Sequence, residues 1–294
     1  MNLPKLNFTA RFIVTLAIAL GAAVAISPIA AVTVARLGFR FPFPRIFDRT
    51  VMVSLLVVVI AGARWMRFGP LIAAGFRNPR GNLGNALVGL AAAIAAMAVM
   101  FGCAIAIGAR GGPDLGRHLM RIPGYILAAI AVAIIEEAFF RAWLMGGMME
   151  DFGRPVALVL SSLIYAVSHV IRAPAHFFIG DFQPAAGLHD LAASMSRLAH
   201  PAAAAPAILG LFILGILLGE AFLFTRTVYL SMGLHAGVVI GAKLWPAVLT
   251  PGISIPYWLG GRPHFGLISG PAAWAAAIVL IAITPLIAGR PSRG

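Results

Sequence analysis

The sequence predicts an all-α, polytopic membrane protein with a bundle of about eight transmembrane helices. Hydrophobic residues fill 61% of its 294 positions and charged residues only 11%, whereas a soluble domain is about a quarter charged. Long apolar segments recur along the whole chain, and most could cross the roughly 30 Å of hydrocarbon in a bilayer. All are expected to be helices, because a helix satisfies its own backbone hydrogen bonds in lipid.

The expected spans are apolar segments separated by basic or Pro/Gly-rich loops. They lie at 12–35, 50–65, 82–108, 123–148, 155–171, 205–224, 227–247 and 270–289. The first is too long for the core of a signal peptide and is expected to be retained. Stretches rich in Gly and Ala, at 84–108 and 210–219, are expected to pack closely on other helices. The longest interruption, 172–206, is expected to lie at the membrane interface and to hold a short helix.

The excess of basic residues fits a membrane surface better than a nucleic acid. The chain has 22 Lys and Arg against 9 Asp and Glu. The arginines punctuate apolar stretches and form no stripe with interleaved aromatic residues, the pattern typical of nucleic-acid binding. Short basic loops in contact with anionic headgroups explain them better. The lipid bilayer is therefore an expected partner, and nucleic acid is not.

Two glutamates and an arginine stand inside the fourth apolar segment, where each would cost several kcal/mol if it faced lipid. Adjacent helical residues point about 100° apart, so Glu136 and Glu137 are expected to have separate roles. Glu137 and Arg141 are four residues apart and are expected to form an ion pair. Glu136 has no partner within its own helix and is the carboxylate expected to do chemistry. The alternative is that both glutamates are structural.

Two histidines complete the set of ionisable candidates. His169 ends the fifth segment, one helical turn after Tyr165, and His235 lies inside the seventh segment. Taken singly, His169 could be an interfacial residue and His235 a packed one. Together with Glu136 they suit hydrolysis, since a carboxylate can act as general base toward water. Imidazoles can orient that water, donate to an oxyanion or bind a metal.

Other hydrolytic chemistries are less well supported by the sequence. The zinc-protease motif His-Glu-x-x-His is absent, but Glu136, His169 and His235 could still serve as zinc ligands from separate helices. Zinc-assisted and glutamate-only activation of water therefore both stay open. No Gly-x-Ser-x-Gly motif is present, and the single cysteine, Cys103, has no histidine in its own segment. Serine and cysteine nucleophiles are poor candidates.

These residues resemble the motifs of the CAAX-processing and bacteriocin-processing intramembrane protease family, also called the CPBP or Abi family. The run from Glu136 to Arg141 matches its Glu-Glu-x-x-x-Arg motif. Tyr165 to His169 resembles its Phe-x-x-x-His motif, with Tyr in place of Phe. His235 to Val239 resembles its His-x-x-x-Asn motif, with Val239 where the family usually has Asn. The resemblance covers about residues 123–245, under half of the chain.

The resemblance implies an all-helical membrane endopeptidase. Its protease core would be residues 123–247, preceded by N-terminal transmembrane helices (1–122) and followed by a C-terminal transmembrane helix and tail (248–294). The substrate would be a membrane-associated peptide or protein. We expect the location to be the inner (plasma) membrane of a bacterium.

The resemblance also implies roles for single residues. Glu136 would activate water, His169 and His235 would line the site, and Glu137 and Arg141 would hold the helix geometry. In the family, the Asn is thought to help stabilise the oxyanion.

Two hydroxyl residues are possible substitutes for that Asn. Tyr165 and Ser231 each precede a histidine by four residues, which places each on the face of its histidine.

Two functions of other classes stay open. Val239 favours a catalytically silent membrane protein that confers immunity or acts as a partner in peptide export. A further intramembrane carboxylate, Glu220, allows a transporter that uses Glu136 and Glu220 as proton or ion sites. The complete Glu-Glu-x-x-x-Arg motif, followed by two histidines in later apolar segments, favours the enzyme.

Overall fold

The computed structural model describes residues 6–114, 116, 119–171, 177–252, 254–261 and 266–288. The chain is mostly helical, and each segment predicted as a span is helical over most of its length. The helices are α1 (Phe8–Arg36), α2 (Phe43–Ala61), α3 (Phe68–Gly75), α4 (Pro79–Ala106), α5 (Ile122–Glu137), a π-helix (Ala138–Met145), α6 (Gly146–Val170), α7 (Ala186–Met195), α8 (Pro201–Thr225), α9 (Tyr229–Val248) and α10 (Pro271–Ile287).

Contacts divide the chain into two compact units. Unit 1 comprises Met1–Pro70 and Ser168–Ala204, and unit 2 comprises Leu71–Val167 and Ala205–Gly294. Unit 1 contains α1, α2 and α7, with a buried apolar cluster formed by Ala31, Phe43, Phe47, Ile179 and Ala186. The short helix α7 lies in the interruption where the sequence predicts one.

Four helical runs within the described residues are long and apolar enough to cross a membrane. They are Phe8–Arg36, Pro79–Ala106, Leu119–Val170 and Ala202–Thr225. The third run is 52 residues long and bends at Gly153, which has a φ of 75°. Glycine adopts this left-handed conformation without the steric cost that a Cβ brings. The bend separates two helices at the position expected between 123–148 and 155–171.

Two of the remaining expected spans differ from the prediction: α2 is more polar and α10 is shorter. Helix α2 begins at Phe43 rather than near residue 50, and it therefore includes Arg45, Asp48 and Arg49. Two features explain the early start: Pro44 suits the first turn of a helix, and the Phe43 amide donates to the Phe177 carbonyl at 2.7 Å. Helix α10 has 17 residues. By length and composition alone, the described residues support four spans, not the eight expected.

A small β-ribbon departs from the all-α prediction. Strands β1 (Arg110–Pro113) and β2 (Leu249–Pro251) pair in antiparallel fashion. They directly follow α4 and α9, which pack against each other in unit 2. The ribbon forms because this packing brings the two following segments together, and segments this short carry no periodicity that the sequence could reveal.

Glycines hold α4 and α9 together, as the Gly- and Ala-rich composition of α4 predicts. A Cβ at Gly233 would overlap the backbone carbonyl oxygen of Ala86, and a Cβ at Gly237 would lie 2.6 Å from the Cβ of Ala93. Only glycine permits this approach of the two backbones. His235 is two residues from each glycine and thus points away from α4. The glycine face fixes α9 while the opposite face presents the histidine to α5.

We expect Gly233→Val to lower the thermal stability of the purified protein. The new side chain would meet the Ala86 backbone, which cannot rotate away, and overpacking of this kind costs about 1–3 kcal/mol. The control is Gly84→Ala in α4, where a Cβ meets nothing within 4 Å and helix propensity favours alanine. Thermal unfolding in detergent measures both. Equal melting temperatures for the Gly233→Val variant and the wild type would contradict the packing.

A buried acid in unit 1 predicts a pH dependence of stability. Asp190 of α7 is fully buried, and neither of its carboxylate oxygens has a hydrogen-bond partner among the described residues. The pKa of Asp190 is raised to about 6, mainly by burial and also by the nearby Asp48, while His189 acts in the opposite direction. The folded protein therefore holds this proton more tightly than the unfolded chain, in which the pKa is about 3.9.

Because the folded-state pKa is the higher one, Asp190 costs stability once it is ionised. Its contribution to the free energy of unfolding is most favourable below about pH 4. It falls as the pH rises to about 6 and is then constant, a total loss on the order of 3 kcal/mol. Melting temperatures at pH 4.5 and pH 7 should therefore differ less in Asp190→Asn than in the wild type. The same difference in both proteins would show that Asp190 does not titrate in this range.

Candidate active site

Helix α5 ends with the two adjacent carboxylates, and they lie in different surroundings. The side chain of Glu137 is 0% exposed, whereas that of Glu136 is 25% exposed. The 100° turn between neighbouring helical residues accounts for the difference. The backbone then continues as the π-helix Ala138–Met145. Such segments are often found at functional sites, and the sequence analysis did not predict this one, because its residues also suit an α-helix.

The imidazole of His235 lies between the two carboxylates. Its Nδ1 is 2.9 Å from Oε1 of Glu137, and its Nε2 is 3.8 Å from Oε2 of Glu136. A carboxylate accepts hydrogen bonds, so the Nδ1–H group donates a hydrogen bond to Glu137. In neutral His235 this assigns the proton to Nδ1 and leaves the Nε2 lone pair facing Glu136. That one histidine contacts both glutamates could not be predicted from the sequence.

Arg141 pairs with Glu137, as the sequence predicts. Its Nε is 3.5 Å from Oε2 of Glu137, and both side chains are fully buried. Its Nη2 also donates to the carbonyl of Gly215 in α8 at 3.3 Å. That carbonyl is within reach because α8 packs tightly on α6: a Cβ at Gly215 would lie 2.9 Å from the Cβ of Ser162. The guanidinium thus compensates the buried negative charge of Glu137 and links this carboxylate to α8.

Tyr165 of α6 packs beside the histidine. Its ring meets the imidazole of His235 edge to face, with 6.2 Å between ring centroids. The Arg141 guanidinium lies 5.1 Å from the centre of the same ring. The Glu136 carboxylate is close enough to act electrostatically on the Tyr165 hydroxyl. Tyr165 therefore lies beside His235 and Arg141, and its role at the oxyanion stays a prediction.

Ser231 of α9 lies on the side of Glu137. Its hydroxyl is buried and donates to the Val228 carbonyl oxygen at 2.9 Å, and it is near enough to act electrostatically on the Glu137 carboxylate. This geometry favours a role in holding Glu137 over the predicted role at the oxyanion.

His169 lies in the last turn of α6, one turn after Tyr165, with an exposed side chain. It belongs to unit 1, whereas Glu136, Tyr165 and His235 belong to unit 2. Its Nδ1 is 3.4 Å from the hydroxyl of Ser168. Its place in the site stays a prediction.

The described residues include no group of three His, Cys, Asp or Glu side chains arranged to hold a metal ion. His235 already engages Glu137 through Nδ1, which leaves one ring nitrogen for any further ligand. The set Glu136, His169 and His235, considered for zinc from the sequence, thus gains no support from the geometry.

Comparison with known proteins identifies the segment that contains this cluster. Residues 118–240 match the profile of a family described as type II CAAX prenyl endopeptidase Rce1-like. This segment is an Rce1-like domain of the CPBP (Abi) family. No curated protein and no solved structure matches the chain.

The Rce1-like domain includes α5, the π-helix, α6, α7, α8 and the part of α9 that carries His235. Both carboxylates, Arg141, Tyr165 and His235 therefore fall within it, as the resemblance in motifs predicts. The family is one of proteases. The long apolar helices of this chain make it an integral membrane protein.

We expect Arg141→Leu to reduce the yield of folded protein as well as any activity. Without the guanidinium, Glu137 would remain as a buried charge with less compensation, and breaking such a pair typically costs about 3–5 kcal/mol. The control is Arg154→Leu in α6, where the arginine is exposed. Monodisperse yield on size-exclusion chromatography and melting temperature measure both. A normal yield and stability for Arg141→Leu would contradict the structural role of the pair.

Proposed function

We propose that this protein is an intramembrane endopeptidase that hydrolyses a peptide bond of a membrane-associated peptide or protein, with Glu136 activating the attacking water. The observation that carries the proposal is the pair formed by Glu136 Oε2 and His235 Nε2, 3.8 Å apart. Two polar atoms at this distance are too far apart for a direct hydrogen bond and well placed to share a water. The partial exposure of Glu136 supports access for that water.

In the proposed reaction Glu136 acts first as base and then as acid. The water gives a proton to the Glu136 carboxylate while its oxygen bonds to the scissile carbonyl carbon, and the carbonyl oxygen becomes an oxyanion. When the carbon–nitrogen bond breaks, the protonated Glu136 donates its proton to the leaving nitrogen. The products are a carboxylic acid and an amine, and Glu136 returns to its starting state.

His235 would orient the water rather than supply the base. Its Nδ1 proton is committed to Glu137, so Nε2 can accept a hydrogen bond from the water. Glu137 and Arg141 then act through His235: the carboxylate fixes the tautomer and ring orientation, and the guanidinium keeps that carboxylate ionised. These separate roles agree with the exposure of the two glutamates, because Glu136 is partly exposed and Glu137 has no access to solvent.

Tyr165 and His169 are the proposed donors to the oxyanion, which needs hydrogen bonds as its charge develops. For Tyr165 the support is its contact with His235. For His169 the support is helical spacing, since it follows Tyr165 by four residues in α6 and shares its face.

The wider architecture is also part of the proposal. We infer eight crossings, with α2, α9 and α10 added to the apolar runs and with the 52-residue run counted as two. Residues 123–247 would form the protease core, with 1–122 and 248–294 as flanking transmembrane parts. The expected location is the inner membrane of a bacterium, and the expected contacts are lipid and a peptide or protein substrate.

A catalytically silent relative is the second candidate. The observation in its favour is Val239, which lies one turn after His235 and has no group able to donate to an oxyanion. Such a protein would keep the ion cluster for stability alone.

A cleavage assay with purified protein separates these functions. Suitable probes are a fluorescence-quenched peptide ending in a CAAX sequence, farnesylated on its cysteine, and the same peptide without the lipid. Glu136→Gln keeps the size of the side chain but removes the base, so cleavage should be abolished in a folded protein. His235→Ala and His169→Ala should each lower turnover on the order of a hundredfold or more.

The matched control is Glu220→Gln, which changes a carboxylate of α8 that makes no described contact with His235. It should keep full activity. Retained activity in the presence of a strong chelator would favour the glutamate-only route over zinc. Cleavage by Glu136→Gln at the wild-type rate would exclude the proposed mechanism, and absence of cleavage of any probe by the wild type would favour the silent relative.

A further inference from the structure

Two adjoining cavities lie along α1 and α2, lined only by residues of unit 1. Each has a volume of about 510 Å³, within the range of small-ligand sites. They share Phe41 and Ile46 in their linings and are therefore neighbours; the second cavity, lined from both α1 and α2, is called the groove below. None of the residues assigned to the candidate active site lines it.

The inner part of the groove is an apolar track. Ile26, Ala30 and Val34 line it from α1 at intervals of four residues, which places them on one face. From Ile26 to Val34 the track is about 12 Å long at the rise of an α-helix. Val53 lines the opposite side from α2. A narrow apolar track between two helices suits an alkyl chain.

The outer part of the groove is basic. Arg40 lines the first cavity, and Arg45 and Arg49, one turn apart on α2, line the second. Among the described residues no salt bridge is formed by these three arginines. Arg45 stacks on Phe41 at 4.8 Å, and Arg49 contacts the sulfur of Met52 at 3.3 Å, which is only a weak acceptor. Arg45 and Arg49, two exposed arginines one helical turn apart on the same cavity, suit a phosphate group, which arginine binds through paired N–H donors.

We propose that this groove binds one anionic phospholipid, with an acyl chain along Ile26, Ala30 and Val34 and the phosphate on Arg45 and Arg49. Charge complementarity selects the occupant, since a soluble anion would make no use of the apolar track. The position of the arginines also agrees with a lipid headgroup. They lie where the long apolar helix α1 ends and the chain turns back into α2, the level at which basic residues meet headgroups.

The first test is lipid retention by the full-length protein in a mild neutral detergent. Phosphatidylglycerol and phosphatidylcholine with identical acyl chains are added separately, and native mass spectrometry and melting temperature are recorded. We expect one tightly retained phosphatidylglycerol and a rise in melting temperature, with much weaker retention of phosphatidylcholine. Equal retention of both lipids would overturn the proposal, and so would an equal rise in melting temperature with inorganic phosphate alone.

The second test uses variants of the two parts of the groove. Arg45→Gln with Arg49→Gln should weaken phosphatidylglycerol binding on the order of tenfold or more, because two charge-assisted contacts are lost. Arg77→Gln with Arg80→Gln, which changes two exposed arginines that line neither cavity, should leave binding unchanged. Ala30→Phe fills the track and should weaken binding with the arginines intact. If the first double variant does not fold, Ala30→Phe decides, and unchanged binding in it overturns the proposal.

Discussion

The fully buried carboxylate of Glu137 is the constraint on which the rest of unit 2 depends. An ionised carboxylate without water is very unfavourable unless charge and hydrogen bonds compensate it. Arg141 supplies the charge at 3.5 Å, and His235 supplies a hydrogen bond at 2.9 Å. These partners come from the π-helix and from α9, and Arg141 extends to α8 through Gly215. One buried charge on α5 thereby fixes the positions of three other helical elements: the π-helix, α8 and α9.

This constraint also gives two neighbouring glutamates different chemistry. Glu137 is committed to its partners, whereas Glu136 is partly exposed and faces the other nitrogen of the same imidazole. The hydrogen bond on Nδ1 determines what Nε2 can do, so the structural glutamate influences the proposed catalytic one through the ring. A helix is well suited to this arrangement, because adjacent residues share a position along the axis and differ in direction.

The packing of α9 shows how such a site can be built within an apolar protein. Gly233 and Gly237 allow the α9 backbone to approach α4, and the residue between them points to the other side. His235 is thus held from behind by a backbone contact that involves no polar side chain. In unit 1, by contrast, the arginines of α2 remain outside its packed core, which is why a groove with an apolar track and a basic rim can exist there.

Much of this protein follows from its sequence alone. Composition determines that the chain is helical and apolar, because lipid leaves the backbone no other way to satisfy its hydrogen bonds. The four-residue spacing determines the pair of Glu137 and Arg141, because both partners lie on one helix. The cost of an ionisable group in an apolar segment singles out Glu136 and His235 as well. Contacts between distant segments could not be predicted in this way. Three such contacts depend on how α4, α5 and α9 pack. His235 contacts both glutamates, Ser231 lies near Glu137, and β1 pairs with β2. Such packing depends on the joint fit of many side chains, whereas the periodicity of one helix records only which of its faces is apolar.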